Sequence, residues 1–361
     1  MKRHGGGRLR LACGAAGLAL VLVLVSVLSN PVWTANDDRG LVGTSGSTKT
    51  VCVGRFLIDL PVQAEVRFGL GGVGGLDLST TRHESDAEFT DRLQTAKRNI
   101  AEALNEDSQA SLELVKEIKG EGSKGQLFVH NRRRSNLRRG DHVLPVENVG
   151  VYGLLRFSGL SITANADWLD PDYVDDVAHI LGRIRPLLPS EIPEEPGFCL
   201  ADALVRDPYE HRKSESIVMF AGLPGHPDVN IVLDSMSGTS PAPGLLQRNS
   251  AAAARESIFV QMAFTNLREK ARVINGLHGE ELVTRIREPN LTTGYSFQWE
   301  ARGEQGDVFA PLVTLEIESG TPSSAGGKPV QSTLSEKAML ELWERIASSI
   351  RLRPIKIGKT I

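Results

Sequence analysis

The residues of this chain that could do chemistry are few, and their spacing suits none of the common reactions. Gly69-Leu70-Gly71-Gly72-Val73-Gly74 fits G-x-G-x-x-G. A dinucleotide site needs that pattern between a strand and a helix N-terminus, where backbone amides meet a pyrophosphate. Leu76-Asp77-Leu78-Ser79-Thr80 follows instead and starts no helix. The stretch therefore reads as a flexible glycine loop, with Gly71, Gly72 and Gly74 able to reach a partner. Eight histidines include no HExxH and no closely spaced pair, and His278 has no sequence neighbour to complete a metal site. No Gly-x-Ser-x-Gly occurs, so a hydrolase nucleophile elbow is missing. Gly326-Gly327-Lys328 is no phosphate loop, because Pro322 stands at its first glycine position. The expectation is no catalytic residue, no cofactor and no metal.

Arg132, Arg133, Arg134, Arg138 and Arg139 form a basic cluster that reads as a solvated hairpin tip. An acidic protein surface is a fitting partner for it, and anionic lipid headgroups are another. Nucleic acid is not expected. The formal net charge is -3, and four cations (Lys2, Arg3, Arg8 and Arg10) lie ahead of the first acidic residue, Asp37, so the body is more acidic still. Those cations precede the apolar run Leu11–Ser29, which reads as a secretory signal peptide or an uncut signal anchor within residues 1–35, with a candidate cleavage before Asn30. Cys13 belongs to that signal. An oxidising compartment would permit Cys52 and Cys199 to pair. Two buried thiols are the alternative, since equivalent positions in separate modules often lie more than ~7 Å apart.

The elements that would carry these residues come in two similar sets. At 361 residues, 40% of them hydrophobic, the chain can build two cores. One half opens with Thr50-Val51-Cys52-Val53-Gly54-Arg55-Phe56 and ends at Arg183-Ile184-Arg185-Pro186; the other opens with Pro196-Gly197-Phe198-Cys199-Leu200 and ends at Arg351-Leu352-Arg353-Pro354. Val51–Leu60 reads as one strand stopped by Pro61, and Ala64–Leu70 as a second. Ser85 and Glu88 have capping-box spacing ahead of the stripe Phe89, Leu93, Ala96, Ile100 and Leu104. Leu245 to about Ala263 is predicted helical. Asn275-Gly276 predicts a tight hairpin. Tyr295, Phe297 and Trp299 alternate with polar residues, as a core strand requires. The closing helices place Tyr173, Val177, Ile180 and Ile184, and then Met339, Trp343, Ile346 and Ile350, at one shared spacing. The expected fold is α+β, with two related modules, each an antiparallel sheet covered on one face by helices. The linkers are 36–49 and the Pro- and Glu-rich 189–196, and the modules are 50–188 and 197–355.

Val51-Cys52-Val53-Gly54-Arg55-Phe56-Leu57-Ile58-Asp59-Leu60-Pro61 resembles the opening of immunity proteins that protect bacteria against type VI secretion phospholipase effectors. Pro196–Cys199, Ile274–Glu281, Phe297–Glu300 and Ser349–Pro354 are similar to further segments of that family, in the same order. The resemblance implies a periplasmic, non-enzymatic, two-domain inhibitor that grips a lipase of α/β-hydrolase fold and keeps its lid from opening. The loops expected to reach the lipase are Gly69–Gly75, Arg132–Arg139, Ser237–Gly244 with Thr239, and Thr321–Lys328. An envelope-tethered scaffold or ligand-binding module, held through Leu11–Ser29, is the competing expectation.

Overall fold

The computed structural model describes residues 47–207, 214–237, 243–305, 307–322 and 326–356. The export signal, Cys13 and most of the first linker lie outside the described residues, as does Thr239. The first half runs β1 (Thr48–Val53), β2 (Phe56–Pro61), β3 (Glu65–Phe68), β4 (Gly71–Val73), β5 (Leu76–Arg82), α1 (Asp86–Glu102), β6 (Leu112–Gly120), β7 (Ser123–Arg139), β8 (His142–Phe157), β9 (Leu160–Leu169), a 3₁₀ turn (Pro171–Tyr173), α2 (Val174–Gly182) and β10 (Ile184–Pro186). The second runs β11 (Gly197–Cys199), β12 (Ala203–Arg206), β13 (Glu215–Leu223), β14 (His226–Met236), α3 (Leu245–Ala253), α4 (Ile258–Gln261), β15 (Phe264–Ile274), β16 (Leu277–Arg287), β17 (Thr293–Ala301), β18 (Leu312–Ser319), α5 (Glu336–Ser349) and β19 (Arg351–Leu352).

Antiparallel sheet dominates, and it is continuous across both halves. Its order is β6-β7-β8-β9-β5-β4-β13-β14-β18-β17-β16-β15, with β3 beside β13. From the seam outward, β4-β5-β9-β8-β7-β6 in the first half matches β13-β14-β18-β17-β16-β15 in the second, element for element. The two half-sheets therefore share one topology and meet edge to edge, which leaves neither inner edge strand exposed.

Two small sheets lock the halves together. In one, the opening hairpin β1-β2 accepts β19, the closing strand of the second half; in the other, β11-β12 accepts β10, the closing strand of the first. Each half thus completes the other's opening hairpin. The arginines of the two Arg-x-Arg-Pro motifs serve this exchange. Arg353 is buried and donates to the carbonyls of Pro193, Glu195 and Gly197. Burial pushes its guanidinium down, with Arg55 adding repulsion. Arg185 holds Glu191 and Glu195 in the linker.

Several local expectations change with this context. Val51–Leu60 is a hairpin rather than one strand: Gly54 takes φ +59° and turns the chain at Gly54-Arg55. Both flanks are apolar because both face packed surfaces, which hides the turn from a hydrophobicity pattern. The middle of the glycine segment, Gly71–Val73, is a strand and not a loop, and Gly74-Gly75 is the tight turn into β5. Gly72 pairs with Ser216 and Val73 with Glu215, which makes that strand the seam of the large sheet. Leu245–Ala263 breaks into α3 and α4, because Ser257 accepts from Val260 N and starts a new cap. Ser85 and Glu88 do form a full capping box. The stripe behind them is only partly covered: Phe89 is buried, but Leu104 is 67% exposed. Asn275 and Gly276 both take positive φ and make the two-residue turn between β15 and β16.

The core runs through both halves. Phe297, Trp299, Trp343, Met339, Ile346 and Ile350 are fully buried. Phe297 and Trp343 meet edge to face at 5.9 Å, and Trp343 Nε1 donates to Glu281 Oε1 at 2.7 Å. Arg272 neutralises the buried Glu281, satisfying the requirement that a buried charge be paired.

Candidate partner-binding surface

The Cys52–Cys199 disulfide and Arg55 define the joint between the halves. Cys52 and Cys199 hold equivalent places on β1 and β11, and they are bonded with a Cα–Cα separation of 6.0 Å. Gly54 N donates to Cys199 O at 3.1 Å and Cys199 N to Gly54 O at 2.9 Å. The reciprocal exchange of closing strands brings these two hairpins together, so the alternative of two separated thiols does not hold. Arg55 reaches across to Asp207 and Glu215, and its guanidinium lies 4.5 Å from the Phe309 ring centroid.

Gly71, Gly72 and Gly74 also serve this joint. A Cβ on Gly71 would stand 2.2 Å from Leu200 Cδ2, one on Gly72 2.4 Å from Ser216 Oγ, and one on Gly74 2.8 Å from Ile180 Cδ1. Gly71 and Gly72 are small because the halves approach each other there, and Gly74, in the turn after β4, is small because Ile180 of α2 in its own half packs on it.

The arginine cluster lies along an extended arm. Strands β7 and β8 stay paired past a bulge at His130, from Arg133↔Asn148 to Arg139↔His142, and turn at Gly140-Asp141. Arg132, Arg133 and Arg134 are therefore strand residues, not a hairpin tip. Arg132 pairs with Glu113 and Glu147. Arg134 pairs with Glu147 and Asp107. Arg133 pairs with Glu106 and stacks 4.4 Å from the Trp168 ring centroid. Hydrogen bonds from Arg134 and Arg132 hold the Glu147 carboxyl below the usual range. These contacts spend the positive charge inside the arm and stiffen its base. Arg138 and Arg139 sit at its end, and Arg138 is exposed. The end is apolar as well: Leu137 (57% exposed) pairs across from Leu144 (47%), and Arg138 from Val143.

The corresponding outer end of the second half carries a feature that sequence reasoning missed. Helix α4 and the start of β15 expose Ile258 (62%), Phe259 (82%), Met262 (75%) and Phe264 (42%). Arg287 N donates to Ala263 O and sets the following loop, with exposed Leu291, beside them. A contiguous exposed apolar group of this kind marks an interaction site. The signal was present: Ile258-Phe259-Val260-Gln261-Met262-Ala263-Phe264 is apolar almost all round, which suits no half-buried surface helix.

Other loops are less free than expected. Ser237 is buried and donates to Glu215 O, Gly244 caps α3, and Thr321 is tied to Asp228 and Asn230. Among the described residues no group of three or more His, Cys, Asp or Glu could hold a metal, and no helix is long and apolar enough to cross a membrane.

Family models for the N-terminal and C-terminal domains of Tle cognate immunity protein 4 match residues 49–139 and 191–355, together more than half of the chain. The chain belongs to the Tle cognate immunity protein 4 family. It is a family of immunity proteins, which bind effectors and are not enzymes. The partner is thus a type VI secretion effector of the lipase kind. Two solved structures share the fold. The chain is 21% identical to the apo immunity protein TplEi of the Pseudomonas aeruginosa type VI secretion system, covering 86% of this chain and 98% of that one, with a TM-score of 0.65. It is 22% identical to a chain in the crystal structure of the Tle4-Tli4 complex, covering 89% and 100%, with a TM-score of 0.66. No curated protein matches the chain.

Proposed function

We propose that this protein inhibits its lipase effector in the periplasm by gripping it from two sides and blocking lid opening or access to the active site. One observation carries the reading: the outer ends of two half-sheets with a single strand order both expose apolar side chains, Leu137, Val143 and Leu144 on one and Ile258, Phe259 and Met262 on the other. Two contacts on one continuous sheet make the second effectively intramolecular, which tightens binding by ~10²–10⁴. The modules are residues 50–188 and 197–355, each with its helices on one face of its half-sheet and 189–196 between them. The arm bearing Arg132–Arg139 is the finger of the first module, and α4 with its neighbouring loop is that of the second. The basic start and Leu11–Ser29 support export, with cleavage or retention as an anchor, and the disulfide suits the oxidising periplasm. The kinship with a protein solved in a Tle4-Tli4 complex supports the choice of partner. Deleting the ends of both fingers should abolish protection of cells expressing the periplasmic effector, while the purified variant keeps its cooperative unfolding. Full protection by that variant would refute the two-sided grip.

A further inference from the structure

We infer that the Cys52–Cys199 disulfide sets the angle between the two half-sheets, so that tight binding of the partner depends on the joint being oxidised. The inference rests on the proposed two-sided grip. The bond joins equivalent positions of the two halves across 147 residues of sequence. It sits where the mutual hydrogen bonds of Gly54 and Cys199 cross, between the two hairpins that exchange closing strands.

The rest of the joint is slender in the sheet direction. Among the described residues it consists of two short strands, Gly72 and Val73 of β4 and Glu65–Phe68 of β3, paired to β13, with Gly69 N donating to Val218 O and Gly74 N to Ser214 O beside them. The disulfide packs in its own small apolar cluster, with Leu57, Leu187 and Leu204, apart from the main core. The arm of β8 and β7 lies four and five strands from the seam, and α4 lies at β15, the sixth. At about 4.8 Å per strand that is a lever of roughly 25 Å, so a hinge rotation of about 5° moves a fingertip by roughly 2 Å. Small changes at the joint are therefore large at the contacts, while each finger keeps its own structure.

The chemistry balances as thiol–disulfide exchange. On oxidation the two thiols lose two electrons and two protons to a disulfide-bearing oxidant, which leaves as a dithiol; a dithiol reductant reverses the step. Both cysteines are buried, so exchange requires local opening of β1 from β11.

The test compares the wild-type protein with Cys52→Ala/Cys199→Ala and with Cys52→Val/Cys199→Val, the second keeping the apolar cluster filled. Circular dichroism reports the fold, small-angle scattering the spread of the two halves, and titration against the cognate lipase the inhibition constant. The expected result is an unchanged sheet signal, a broader distance distribution and an inhibition constant raised by about 10²-fold, the contribution of a second linked contact. Variants that fold and inhibit as tightly as wild type would overturn the inference. So would loss of folding in both, which would make the bond a requirement for folding and not a setting of the angle. A wild-type protein that fails to inhibit would instead refute the proposed function.

Discussion

Arg55 of the first half holds Glu215 of the second through two hydrogen bonds, Nε to Oε2 at 2.8 Å and Nη2 to Oε1 at 2.6 Å, while its Nη1 and Nη2 reach Asp207 at 2.9 Å. Both Arg55 and Glu215 are buried. Glu215 is also the residue that pairs with Val73 at the seam. One guanidinium thus joins the strand exchange, the sheet seam and the start of β13. Arg55→Ala leaves a buried carboxylate uncompensated and is expected to destabilise the protein by about 3–5 kcal/mol. Chemical denaturation followed by circular dichroism measures this, and a loss below about 1 kcal/mol would show that water or another cation takes its place.

Trp343→Ala is expected to cost about 3–5 kcal/mol, because it removes a fully buried aromatic against Phe297 and leaves Glu281 without its indole donor. The readout is again the denaturation midpoint at constant slope.

Substitutions at the fingers should separate binding from stability. Phe259→Asp and Met262→Asp alter exposed side chains, so the unfolding free energy should move by less than about 0.5 kcal/mol. Inhibition of the effector should weaken about tenfold or more. Leu137→Asp with Leu144→Asp should act the same way on the arm. Unchanged inhibition by both pairs would place the contacts elsewhere.

Burial pushes the carboxyls of Asp234, Glu316 and Glu318 up from ordinary values of 3.8, 4.5 and 4.5. Their folded forms bind protons more tightly than the unfolded chain does. Their ionisation therefore weakens the fold at neutral pH, and that penalty fades as pH falls through the raised values toward 4.5. Glu316→Gln should be more stable than wild type at pH 7, with the advantage shrinking on acidification. An advantage that persists unchanged at pH 4 would contradict the desolvation origin.

What the sequence made legible was local. The Ser85–Glu88 capping box, the Asn275-Gly276 turn and the alternation of Tyr295, Phe297 and Trp299 depend on neighbours within a few residues, and each took the expected form. The repeated opening and closing motifs pointed to two related halves, and the strand order bears that out. The relation between the halves was not legible. Gly72 is a strand residue because Ser216 lies beside it, far along the chain. Cys52 and Cys199 pair because each half lends its last strand to the other. The fingers were half legible: the arginine run marked the arm, but the charges of Arg132, Arg133 and Arg134 are used internally, and the apolar residues beside Arg138 were overlooked. Ile258–Ala263 reads in the sequence only as the end of one helix from Leu245, and that reading does not single out its exposed apolar residues.

The most direct test of the central claim is titration of the purified, oxidised protein against its cognate lipase effector on phospholipid substrate. The account predicts complete loss of lipase activity at a one-to-one ratio and no effect on an unrelated lipase. An effector that stays active with this protein in excess would contradict it.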